Sequence, residues 1–157
     1  MSNVVGVGLA LLALDLTAVP AASPMAYTVS SPVSMTLRWV PGGEFRMGDL
    51  AGVGQKDEQP VRSVTVSGFW MMETEVTVGM FQRFVEESGY DIPGGCGYFS
   101  DGWKLDSDLT WASPGFSQSS GHPVTCVSWR DAMAFGHWLS QETGLEFALP
   151  NESQWEY

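Results

Sequence analysis

Short stretches of alternating apolar and polar residues mark the first half of the chain. In Glu44–Met47 and in Val61–Ser67, apolar side chains fall on one side of an extended backbone and polar ones on the other. This period of two predicts half-buried β-strands. Two further short strands are predicted from their apolar content, at Arg38–Val40 and Phe69–Met72.

A helical period appears after the fourth strand. Phe81, Phe84 and Val85 are spaced three and four residues apart, as on the buried stripe of an amphipathic helix. Thr77 is a suitable N-cap, and Gly89 suits the left-handed residue that ends many helices. The sequence therefore predicts a helix that begins at Thr77 and ends near Ser88.

A second helix is predicted to begin at Ser128 and end at Gly144. Asp131 lies three residues after Ser128, the spacing of a capping box. The predicted buried stripe of this helix is formed by Ala132, Phe135 and Leu139, with Trp138 beside it.

The final residues read as the start of a third helix. Asn151 is a good N-cap, Gln154 completes a capping box, and Pro150 and Trp155 have the spacing of a hydrophobic staple. Only six residues follow the cap, too few for a helix that is stable by itself. We therefore expect the chain to stop inside a domain.

The remaining segments complete an α+β pattern. Residues 26–37 are interpreted as a linker or a first strand, and residues 90–123 as a long irregular region. Short strands are predicted at Val124–Val127 and Phe147–Leu149.

Residues 1–25 contain a strongly apolar leader. The run from Val4 to Ala22 ends in small residues and resembles the apolar region of a signal peptide, so we expect export. No Lys or Arg precedes Arg38, and Asp15 interrupts the run. The alternative is a buried strand or helix of the domain; Asp15 and Pro20 argue against a membrane span.

The charge of the chain excludes one class of partner. Seven Lys and Arg face 18 Asp and Glu, a formal net charge of -11. Such a protein repels phosphate backbones, so nucleic-acid binding is not expected.

No self-contained active site is predicted. The two cysteines, Cys96 and Cys126, could form one bridge, remain free thiols or pair with cysteines elsewhere. His122 and His137 share no metal-ligand spacing and are interpreted as structural or surface residues. The acidic residues of the 90–123 region lack the spacing of a calcium loop. We predict no catalytic, cofactor-binding or metal-binding residue in this chain.

Several motifs, taken in order, resemble the formylglycine-generating enzyme (sulfatase-modifying factor) family. They are Trp39–Gly48 (WVPGGEFRMG), Pro60–Trp70 (PVRSVTVSGFW), Glu75–Val85 with its helix, His122–Ala132 (HPVTCVSWRDA), and Leu149–Tyr157 (LPNESQWEY). The resemblance covers residues 38–157 and implies an irregular α+β fold related to C-type lectin-like domains, incomplete at its C-terminus.

The resemblance also implies what this chain lacks. Catalytic members use two cysteines, separated by four residues near the end of the domain, to bind copper(I) and oxidise a sulfatase cysteine to formylglycine. Their calcium ligands also come from the later half, so copper and calcium are implied only for a complete catalytic domain. Cys96 and Cys126 resemble positions of a bacterial branch in which a structural disulfide is expected, and Gly136 stands where some catalytic members carry cysteine.

The expected function is therefore that of a sulfatase-modifying factor domain protein without the catalytic cysteine region. Its partner would be a sulfatase or another protein or peptide substrate. The alternatives are a non-catalytic binding module of the same fold and a related non-haem iron oxidoreductase.

Overall fold

A computed structural model describes residues 12–13, 26–99 and 101–157. The strands are β1 (Leu12–Ala13), β2 (Ala26–Val29), β3 (Met35–Val40), β4 (Gly43–Met47), β5 (Arg62–Val66), β6 (Phe69–Met72), β7 (Cys96–Phe99), β8 (Trp103–Asp106) and β9 (Phe147–Ala148). The helices are α1 (Val78–Ser88), α2 (Trp129–Thr143) and α3 (Glu152–Glu156), with a 3₁₀ turn at Lys56–Glu58. The α+β class is confirmed.

The main sheet has five antiparallel-paired strands in the order β2-β3-β6-β1-β9. Alternation along β3 places Met35 and Leu37 on its buried face, where Met35 pairs with Val29 of β2 and Leu37 with Met72 of β6, both also buried. The hairpins β4–β5 and β7–β8 form separate two-stranded sheets. Apart from β2 and β3, neighbouring strands of this sheet are far apart in sequence, so its order is a tertiary property.

The core lies between this sheet and the helices α1 and α2. Phe81 and Phe84 of α1 meet Phe135 of α2 at ring-centroid distances of 6.0 and 5.6 Å. Trp138 adds a further contact, 5.6 Å from Phe135. These rings are almost completely removed from water, and the predicted apolar stripes of both helices are confirmed.

The predicted caps of α1 and α2 are also confirmed. The Thr77 hydroxyl accepts a hydrogen bond from the Met80 N–H at 3.3 Å, and Gly89 has a φ of 64°. Ser128 and Asp131 form the capping box of α2, which ends at Gly144 with a φ of 71°. These positive φ values require the glycines, because other side chains are strained there.

Of the two alternatives for residues 26–37, the fold has the first strand and not the linker, because β2 and the start of β3 lie within the segment and Val29 and Val33 are buried. Two other expectations from the sequence are corrected. Val124–Val127 is not a strand: the Val124 N–H donates to the Val76 carbonyl at 2.9 Å, and the only bridge there joins Thr77 and Pro123. The 90–123 region contains the hairpin β7–β8, whose pattern is hidden by glycine and aspartate.

The short helix α3 is fixed to the β4–β5 hairpin. Its Asn151–Gln154 capping box is confirmed, but Trp155 is 60% exposed and forms no buried staple. The Gly48 N–H donates to the Glu156 carboxylate at 2.7 Å, and the Tyr157 ring lies 5.3 Å from that of Phe45. Tertiary contacts therefore stabilise a helix that is too short to persist by itself.

The expected leader, residues 1–25, lies outside the described residues except for Leu12 and Ala13. The backbone of this pair forms β1. None of the helices in the described part of the chain combines the length and apolar character needed to cross a bilayer.

Candidate functional site

A disulfide joins Cys96 of β7 to Cys126, two residues before the N-cap of α2. The S–S distance is 2.07 Å and the bridge closes a sequence separation of 30 residues. Of the three states that the sequence allowed, the structure has the intramolecular bridge. Cys126 has a φ of 58°, a backbone conformation that costs free energy for a non-glycine residue, and the bridge helps to hold it.

The hairpin β7–β8 presents an apolar face to solvent on the side away from the disulfide. Trp103 is 70% exposed and Leu105 is 74% exposed. A Cβ on Gly97 would collide with the Trp103 indole, so the glycine allows the ring to lie directly over the backbone of β7. We call Trp103, Leu105 and the Gly97 backbone the hairpin face.

The N-terminus of α2 carries a buried carboxylate. Asp131 is only 3% exposed and accepts hydrogen bonds from the Ser128 N–H and hydroxyl, both at 2.7 Å, and from the Tyr90 hydroxyl at 3.3 Å. Burial raises the pKa of the Tyr90 hydroxyl, and the Asp131 carboxylate beside it acts in the same direction. Tyr90 is therefore held as a proton donor that ties the loop after α1 to α2.

This pair predicts a specific alkaline instability. Because the pKa of Tyr90 is higher in the folded chain than its ordinary value of 10.0, the neutral hydroxyl favours folding. That stabilisation is fully present below about pH 10 and is lost as the pH rises through the folded-state pKa. We expect Tyr90→Phe to flatten the fall in Tm above pH 10 while lowering stability at pH 7 by about 1 kcal/mol.

The measurement is a series of thermal melts between pH 7 and pH 11. Tyr27→Phe is the matched control, since it removes the hydroxyl of a tyrosine that is 41% exposed and lies on another element. If the Tm of the native chain and that of Tyr90→Phe fell equally above pH 10, the raised pKa of Tyr90 would be contradicted.

Two recesses lie on other surfaces. A groove of about 240 Å³ between α2 and β9 is lined partly by His137, Ser140 and Glu146. The Ser140 hydroxyl accepts from the Phe147 N–H and donates to the Gly136 carbonyl, both at 2.8 Å, so it fixes β9 against α2. A second recess of about 390 Å³ separates the β5–β6 turn from the N-terminus of α3.

The two histidines lie in different places, His137 in the groove between α2 and β9 and His122 in the loop before α2. The Nδ1 atom of His122 accepts from the Ser119 N–H at 2.8 Å and closes an exposed loop. Asp106 uses its carboxylate to accept from the Asp108 N–H at 3.0 Å. Within the described ranges, no three His, Cys, Asp or Glu side chains come together as metal ligands would.

Comparison with known proteins identifies the family. Residues 26–157 match the family described as "Sulfatase-modifying factor enzyme 1-like domain". The chain belongs to the sulfatase-modifying factor family. This confirms the resemblance drawn from the motifs and extends the matched region to Ala26, where β2 begins.

Two relatives and one solved structure illustrate the similarity. The chain is 31% identical to formylglycine-generating enzyme of Mus musculus, over 85% of this chain and 40% of the relative. It is also 31% identical to inactive C-alpha-formylglycine-generating enzyme 2 of Bos taurus, over 75% of this chain and 46% of that protein. PvdO from Pseudomonas aeruginosa has a similar fold, with a TM-score of 0.60 and 23% identity, over 78% of this chain and 46% of the other. The chain thus spans less than half the length of each.

The cysteines present do not suit the copper site that the family implies. Copper(I) binding requires thiolates, and Cys96 and Cys126 are bonded to each other. The acidic residues in the described ranges form no cluster suited to calcium. No chemical step is therefore assigned to either metal in this chain.

Sequence reasoning missed the two features that the fold brings out most clearly. The hairpin face was hidden in the long irregular region, although Trp103 and Leu105 have the period of two that marks a strand. The hydrogen bond between Tyr90 and Asp131 joins residues 41 apart, and no local pattern predicts it.

Proposed function

We propose that this chain is the protein-binding part of a sulfatase-modifying factor protein, and that the hairpin face contacts the protein or peptide substrate. The proposal rests on one observation: Trp103 and Leu105 are exposed together on a hairpin that a disulfide fixes. Large apolar side chains on a rigid support bind partners at low entropic cost.

The surroundings of the hairpin face favour a polypeptide over a nucleic acid. Asp101 lies in the turn that precedes Trp103, and the chain as a whole has a formal net charge of -11. A segment with an apolar residue and a basic residue would be complementary to this surface. A sulfatase segment of the form C-x-P-x-R has such a basic residue.

The binding proposal predicts a large effect of one substitution. We expect Trp103→Ala to weaken binding of a labelled C-x-P-x-R peptide by about tenfold or more, because an exposed tryptophan at an interface centre is a typical hot spot. Val53→Ala is the matched control, since Val53 is 87% exposed on a different loop. Fluorescence anisotropy measures both affinities, and an unchanged affinity of the Trp103→Ala protein would rule out the hairpin face.

These 157 residues are proposed not to oxidise cysteine by themselves. Both thiols are consumed by the disulfide, so no cysteine in the described residues can act as a nucleophile or copper ligand. Incubating the non-reduced chain with the same peptide, copper(I) and oxygen should give no formylglycine by mass spectrometry. Conversion above a chain-free control would contradict the proposal.

Catalysis by a longer protein is the second candidate function. It is favoured by the 31% identity with the mouse formylglycine-generating enzyme, of which this chain spans 40%. The similar identity with the inactive bovine relative favours the non-catalytic alternative equally. Expressing the complete reading frame and repeating the peptide assay distinguishes the two.

Export to an oxidising compartment is part of the proposal. The disulfide supports it, because structural disulfides are rare in reducing cytosol. The apolar leader supplies the signal-like segment. Fractionation of the host, followed by thiol labelling of the recovered protein, tests this; a cytosolic protein with both thiols labelled would contradict it.

A further inference from the structure

The strand β1 occupies a position inside the main sheet although it comes from the leader. Leu12 pairs with Met71 of β6 on one side and with Ala148 of β9 on the other. Strands lie about 4.8 Å apart, so β6 and β9 are about two spacings, or 9.6 Å, from each other. Their facing backbones can be paired only by a strand between them.

The backbone pattern shows that this gap requires a hydrogen-bonded occupant. The Phe147 N–H donates to Ser140 on the α2 side of β9. Because neighbouring residues of a strand direct their backbone groups to opposite edges, the Ala148 backbone faces β1. Unpaired backbone groups beside a buried core are strongly disfavoured.

The register also specifies the size of the residue in the gap. A row of cross-strand partners runs from Trp39 through Trp70 and Ala13 to Phe147. Trp70 is 5% exposed and Phe147 is 6% exposed. The register therefore pairs alanine, the smaller residue of β1, with Trp70 and Phe147, and a shift by one would put leucine at that register position.

A buried polar group of Trp70 lies beside the gap. The Trp70 Nε1–H is buried and has no hydrogen-bond acceptor among the described residues. Buried indole N–H groups normally have one.

We propose that the gap between β6 and β9 is a strand-binding site, and that the leader around Leu12–Ala13 is its occupant in the folded protein. The ligand class is an extended apolar peptide with a small residue at the position opposite Trp70. The Leu12–Ala13 pair is thus a structural strand that stays with the domain, and export would take place without its loss. This inference is independent of the proposed binding to substrate.

The first test uses the full chain with a protease site inserted between Ala22 and Ser23. After cleavage of the folded protein, we expect the leader peptide to co-elute with residues 23–157 in gel filtration. Loss of the peptide together with unfolding of the remainder would also support the proposal. Release of the peptide with unchanged circular dichroism and Tm would overturn it.

Peptide exchange tests the same site without altering the domain. A labelled synthetic peptide of residues 4–22 should replace the cleaved leader, whereas the same peptide with Ala13→Pro should not, because proline cannot donate a backbone hydrogen bond. Equal uptake of both peptides, or of neither, would overturn a specific strand site.

Hydrogen exchange on the uncut chain provides the third measurement. We expect Ala13→Pro to raise the exchange of peptides covering β6 and β9 by about tenfold or more, with that of α1 much less affected. Ala18→Pro, five residues further along the sequence, is the matched control. Unchanged exchange at β6 and β9 would overturn the proposal. It would also be overturned if protein from the natural source lacked residues 12–13 and its β6 and β9 amides were still protected from exchange.

Discussion

We expect Phe135→Ala to destabilise the protein by about 3–5 kcal/mol, a large part of the 5–15 kcal/mol that holds a typical domain folded. Phe135 is completely buried, and its ring contacts those of Phe81, Phe84 and Trp138. Truncation leaves a cavity at the junction of α1 and α2, because three rigid rings cannot collapse into the vacated space. The Tm should fall by about 10 °C or more.

Urea unfolding followed by tryptophan fluorescence measures this loss. Met133→Ala is the matched control on the same helix; Met133 is 40% exposed, so its truncation should change stability by less than about 1 kcal/mol. Similar losses for the two variants would show that the aromatic cluster is not the main core.

Reducing the Cys96–Cys126 disulfide should have the second large effect. In the chain-entropy description, a bridge across a separation of 30 residues stabilises the folded state by about 3.5 kcal/mol. Without it, the hairpin β7–β8 loses its covalent tie to the start of α2, and Cys126 retains an unfavourable φ of 58°. We expect a lower Tm and faster proteolysis within residues 90–123.

The measurement is a pair of thermal melts with and without reductant. The double substitution Cys96→Ala with Cys126→Ala is the control: its Tm should lie near that of the reduced chain and should not respond to reductant. A native chain whose Tm is indifferent to reductant would contradict a stabilising role. If Trp103 binds substrate as proposed, the reduced chain should also bind the peptide more weakly.

The two effects concern different functions of the same architecture. The aromatic cluster supports the sheet and the helices, whereas the disulfide supports the exposed hairpin face. A family domain that binds a polypeptide needs both, because an exposed apolar pair on a mobile loop would lose affinity to the entropy of ordering it.

Local patterns predicted the parts of this fold whose interactions span a few residues. The caps at Thr77, Ser128 and Asn151, and the glycine ends of α1 and α2, are confirmed because a cap bonds to backbone groups within one turn. The stripe containing Phe81 and Phe84 is confirmed because helical periodicity is itself local. The ordered motifs likewise identified the family.

Tertiary structure alone decided the features that depend on partners distant in sequence. Trp155 matched a staple spacing but lies exposed, while α3 is held by Gly48 and Phe45 more than a hundred residues away. The pairing of Cys96 with Cys126 and of Tyr90 with Asp131 joins separate elements. The placement of Leu12–Ala13 between β6 and β9 is also long-range. These features depend on which surfaces bury each other. The free energy that favours them therefore comes from the whole folded chain and not from any short segment.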